Sequence, residues 1–206
     1  GTSARIGHAN RRVSTMLLAD LPSLNISFTQ VLIATAVVVA ALLVLSTLIL
    51  VATNRRFKRG PGRHWFSRLS YVAYLVLIAV LAATAFGSLL TSGHVSGYAL
   101  LLHVAASGGF VFLMVAIAFL YLPAGAYEED ELNGRQGSWW ATRWSAWALV
   151  VSSLVAAGTM LVSMLPLLDT EELLQMATLH RYAGLAVVVS AIFHLYSLTC
   201  VRLGWR

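Results

Sequence analysis

His180 and His194 stand fourteen residues apart in TLHRYAGLAVVVSAIFHLYS, an almost wholly apolar stretch. An α-helix turns by roughly 100° per residue, so fourteen steps bring the second imidazole to within about 40° of the first. At about 1.5 Å per residue the two lie roughly 21 Å apart on one face, against a hydrocarbon core about 30 Å thick. Imidazole is a ligand for transition-metal ions and, at both axial positions, for haem iron. A membrane-crossing helix with one histidine near each edge is therefore expected to hold two haems, one above the other. Neighbouring helices must then supply an opposing ligand at each depth.

Two other histidines meet that requirement. His103 lies a few residues into the third apolar stretch, at the depth expected for His180, and His64 stands at the entry to the second, at the depth of His194. His94, in the turn before the third stretch, is the alternative to His103; a ligand on a helix is held more rigidly than one on a loop, which favours His103. His8 reads as a surface residue. Gly184 follows His180 by four residues, one turn along the same face, where a larger side chain would meet a macrocycle. Ser107, Gly108 and Gly109 stand four to six residues after His103, although small residues in membrane helices also serve helix packing. Arg181 lies inside a span, where a guanidinium costs at least about 2.5–3.5 kcal/mol on insertion scales, so it needs an anion, and a haem propionate would serve.

The elements that must position these residues follow from composition. The chain has 206 residues, 59% apolar and 11% charged, whereas soluble domains carry about 25% charged residues. Mean hydropathy is +0.79. The formal net charge of +6 does not imply nucleic acid, because the basic residues gather at membrane edges rather than in a soluble domain. A single cysteine, Cys200, excludes an intrachain disulfide and any iron–sulfur site built from this chain alone. There is no C-x-x-C-H, so any haem would be held by coordination, as a b-type haem. The first residues are Gly-Thr rather than Met, as expected of a chain processed upstream.

Five spans are expected: 28–52, then about 69–91, 98–121, 143–165 and 172–201. Asp169 and Glu172 form a capping box at the start of the last one. NRRFKRGPGRHWFSR carries Arg55, Arg56, Lys58, Arg59, Arg63 and Arg68, and the positive-inside rule puts it in the cytoplasm. Arg135, Arg143, Arg202 and Arg206 fall on the same side, against Arg5, Arg11 and Arg12 on the other. The expected architecture is an all-α integral membrane helical bundle of five transmembrane helices with the N-terminus outside and the C-terminus cytoplasmic. Residues 1–27 form an extracytoplasmic segment and 28–52 an extra helix. Residues 62–201 form a di-haem four-helix bundle.

RHWFSRL, LLHVAASGGFVFL and LHRYAGLAVVVSAIFHLYS together resemble the gamma subunit of membrane-bound formate dehydrogenase. That family of di-haem cytochromes b is related to the cytochrome b subunits of thiosulfate reductase and nickel–iron hydrogenase. The resemblance covers roughly 62–200 and leaves out the first helix. It implies that His103 and His180 hold the outer haem and His64 and His194 the inner one. It also implies an iron–sulfur or multihaem redox partner on the extracytoplasmic face and a membrane quinone as substrate near the inner haem. Asn133 and Gln136, in the loop before the penultimate helix, are the quinone candidates. The setting would be the bacterial inner membrane. Two other functions use the same residues differently: a haem-free anchor or proton-relay subunit, and a transmembrane reductase acting on a small soluble acceptor.

Overall fold

The computed structural model describes residues 27–53, 65–121 and 136–203, all helical apart from short connections and with no strand among them. By contacts the chain divides into Gly1–Ala34 and Thr35–Arg206. In the first of these, Ser27 and Gln30 cap the helix α1 (Phe28–Thr53) reciprocally. The Gln30 amide donates to Ser27 Oγ (3.3 Å) and the Ser27 amide to Gln30 Oε1 (3.0 Å). Two of the orphan amides at a helix start are thereby satisfied.

The second unit holds the rest of α1 and everything after it. α2 (Trp65–Ala82) runs without a break into a π-helical turn, Ala83–Gly87, and then α3 (Ser88–Ser92). Gly93 ends the rod with φ of 76°, its amide returned to the Leu89 carbonyl; the left-handed conformation explains the glycine. α4 is Gly97–Tyr121, α5 is Gln136–Ser163 and α6 is Thr170–Leu203. α6 starts with the expected capping box: the Glu172 amide donates to Asp169 Oδ1 (2.8 Å) and the Asp169 amide to Glu172 Oε2 (3.1 Å). α5 starts within the stretch expected to be loop, so Gln136 is its first residue. Its apolar window opens only at Ala141, so the first turns of the helix lie before the span.

Among the described residues, five helices are long and apolar enough to cross a membrane: Phe28–Ala52, Leu69–Ser92, Gly97–Phe119, Ala141–Ser163 and Thr170–Cys200. The protein is thus a multi-pass, all-α membrane protein. Large apolar side chains such as Phe112 (80% exposed) and Phe119 (78% exposed) point outward, which is where lipid takes the place of water. With no hydrophobic force to drive helices together in lipid, close packing and a few polar contacts must hold them. Both are present. Tyr74, Phe110, Met114, Leu149, Ala156, Ala183, Val187 and Ala191 form one buried cluster drawn from α2, α4, α5 and α6. At its centre the Tyr74 ring stacks on Phe110 (centroids 5.2 Å, planes 10° apart). The Tyr74 hydroxyl donates to Ser153 Oγ (2.8 Å), whose own proton goes to the Leu149 carbonyl. α5 and α6 make the most extensive helix pair, followed by α2 with α4. A Thr47–Tyr196 hydroxyl contact of 3.2 Å joins α1 to α6.

Candidate functional site

His103 on α4 and His180 on α6 come together inside the bundle, ring centroids 6.4 Å apart and planes at 83°. Both are partly buried. His94 is exposed in the turn after α3, its Nδ1 donating to the Ser92 carbonyl (2.9 Å), and it is not the ring beside His180. His194, one of four buried polar residues among the described ones, lies fourteen residues further along α6 and meets the edge of the Tyr71 ring (centroids 5.9 Å). His64 and Asn133 lie outside the described residues, as does the side chain of Gln136.

Each of the three described span histidines is held at Nδ1. Thr159 donates its hydroxyl proton to the Ala156 carbonyl (2.8 Å); His180 Nδ1 then meets both that carbonyl (3.0 Å) and Thr159 Oγ1 (3.2 Å). A carbonyl can only accept, so His180 Nδ1 carries a proton. Thr84 donates to the Val80 and Leu81 carbonyls (2.8 and 3.1 Å), leaving its oxygen to accept from His103 Nδ1 at 3.0 Å. Ser145 donates to the Thr142 carbonyl (3.0 Å) and accepts from His194 Nδ1, again at 3.0 Å. In each case a hydroxyl and the carbonyl three residues before it form a notch for one imidazole N–H. The unprotonated nitrogen is then Nε2, the one with a lone pair for a metal.

Sequence reasoning missed these notches. Ser and Thr in membrane helices commonly bond their own preceding carbonyls, as Ser46, Ser152 and Thr199 do here, so their presence marks nothing. One signal was available. Ser145 and Thr159 are fourteen residues apart, the same interval as His180 and His194, and α5 meets α6 with Thr159 at His180 and Ser145 at His194. The penultimate helix carries the histidine spacing of the last one, read in the opposite direction.

The glycines divide. A Cβ added at Gly109 would sit 3.3 Å from Leu77 Cδ1, so Gly109 is a packing glycine between α4 and α2. A Cβ at Gly184 or Gly108 would meet no atom within 4 Å. Gly184 leaves room one turn from His180, which is what a macrocycle on that histidine needs. Arg181 is exposed on the next position of the helix surface.

Two imidazoles that shared one metal ion would be separated by two metal–nitrogen bonds of about 2 Å each and by part of each ring, about 6 Å between centroids. The 6.4 Å between His103 and His180 fits that requirement. Among the described residues no three of His, Cys, Asp or Glu gather around one point, as a metal ion ligated by protein alone would ask. Axial haem ligation asks for two. No family model, curated protein or solved structure matches this chain.

Proposed function

We propose that this chain is the membrane-embedded di-haem b cytochrome subunit of a respiratory oxidoreductase complex. It would carry electrons between an extracytoplasmic iron–sulfur or multihaem partner and the quinone pool near the cytoplasmic face of a bacterial inner membrane. The observation that carries the proposal is the His103–His180 pair, 6.4 Å between ring centroids, which would leave room for one iron between them, with both Nδ1 atoms engaged elsewhere. Two non-covalent b-type haems would supply one-electron transfer at six-coordinate iron with no open position.

The chain's own residues do the rest. His103 and His180 hold the outer group, with Gly184 leaving it room and Arg181 placed to take a propionate. His64 and His194 would hold the inner group, and Asn133 and Gln136 are the candidates for the quinone. The buried Tyr74–Phe110 stack fills the core with apolar surface, which keeps water from the bundle centre. The positive-inside distribution of arginine supports the N-out, C-in orientation. A haem-free proton relay fits the hydrogen bonds less well. The Thr84, Ser145 and Thr159 protons all return to carbonyls of their own helices, which cannot pass a proton onward.

Quinol added to the protein in lipid vesicles should bring up the reduced haem bands, and His194→Ala should slow that reduction at least about tenfold by removing the inner centre's ligand. Equal rates in the two proteins would remove quinone from the proposal.

A further inference from the structure

We propose that Thr84, Thr159 and Ser145 are positioning residues whose hydroxyls, each pinned to its own helix, take the Nδ1–H of His103, His180 and His194 and fix Nε2 as the ligating nitrogen. This rests on the proposed haem-binding function for its consequence, though not for its geometry. Every described histidine inside a span meets such a hydroxyl, at 3.0, 3.2 and 3.0 Å. Two separate segments supply them, so no single local turn explains the pattern. The Thr84 hydroxyl comes from the π-helical turn Ala83–Gly87, and the other two come from α5.

The π turn has a part in this. One extra residue in a helical turn rotates the following face, and such bulges recur at functional sites. Here the turn holds Thr84, which is buried, against His103 on the neighbouring rod. α5 carries no histidine, yet its two hydroxyls match the interval of the two ligands on α6. Its function is therefore to orient ligands rather than to supply them.

The chemical consequence follows from the direction of the bonds. A histidine that donates Nδ1–H to a fixed acceptor is held in one tautomer and one ring orientation, and its other nitrogen becomes more basic. A more basic ligand favours the oxidised iron and lowers the midpoint potential. Loss of such a partner weakens metal binding by about tenfold to a hundredfold. His180 Nδ1 lies nearer the Ala156 carbonyl (3.0 Å) than Thr159 Oγ1 (3.2 Å), so removing Thr159 alone leaves it held, whereas at His103 the Thr84 hydroxyl stands at 3.0 Å beside the Leu81 carbonyl. Thr84 is the sharper test for the outer pair.

The experiment uses the full chain, reduced so that any bound iron is diamagnetic. Side-chain 15N shifts of His103, His180 and His194 distinguish protonated from unprotonated ring nitrogens. Protonated Nδ1 is expected in all three, with Thr84→Val altering His103 and leaving His194 unchanged, and Thr84→Ser restoring the original signals. In haem-loaded protein, Thr84→Val should raise the potential of one centre only and speed its haem loss about tenfold or more. Nε2–H at His103, or a Thr84→Val protein with unchanged shifts, unchanged potential and unchanged haem retention, would overturn the inference. A chain that binds no haem but keeps the Nδ1–H signals would instead sink the proposed function and leave the positioning roles standing.

Discussion

His180→Ala is expected to remove one haem and leave about half of the reduced absorbance, because a six-coordinate centre without a covalent link depends on both axial ligands. His103→Ala should remove the same centre, since the two rings face one another at 6.4 Å. The double variant should then lose no more than either single one, the pattern expected of two residues acting on one object. His94→Ala should leave both haems in place. Its ring is exposed and donates to a carbonyl two residues away, well suited to shaping the turn and remote from His180 in role. Loss of a haem from His94→Ala, with His103→Ala unaffected, would reverse the assignment of the outer ligand.

Gly184→Leu should have an effect as large, by a different route. The glycine, partly buried, makes no tight contact: an added Cβ meets nothing within 4 Å. The protein itself therefore has room for a larger residue, and replacing a helical glycine gains about 0.5–1 kcal/mol of backbone stability. A leucine there would nonetheless project from the turn next to His180 into the space a macrocycle on that histidine would use. A protein at least as stable as the parent, with the outer haem gone, is the expected result; thermal unfolding and the haem spectrum together check it. If Gly184 were a helix-packing glycine, the leucine would lower stability instead. Gly109, whose Cβ would press on Leu77, is the position where that penalty is expected.

Much of this arrangement was legible in the residues themselves. The five spans announce themselves by unbroken apolar length, and their observed limits lie within a few residues of those expected, since hydropathy has few ways to be wrong over twenty-five residues. The Asp169–Glu172 cap was readable because both partners are local. The pairing of His103 with His180 followed from depth alone, once each histidine had been placed along its span. The cap at Ser27 and Gln30 carries the same three-residue signature before an apolar run and was equally readable, though it is not among the expectations above. Other features were not readable. The π turn at Ala83–Gly87 has no composition of its own. The hydroxyl notches depend on which faces of α2, α5 and α6 meet, and helix packing decides that through many small contacts that no single residue type reveals. Only the shared interval of Ser145–Thr159 and His180–His194 carried that information in one dimension.

The central claim is that the chain holds two haems on paired histidines, and the most direct measurement is a haem count. Pyridine haemochrome analysis of the purified protein, set against its polypeptide concentration, should give two b-type haems per chain, with a reduced-minus-oxidised spectrum showing both. A colourless protein, or one that saturates at a single haem when fully supplied, would contradict it.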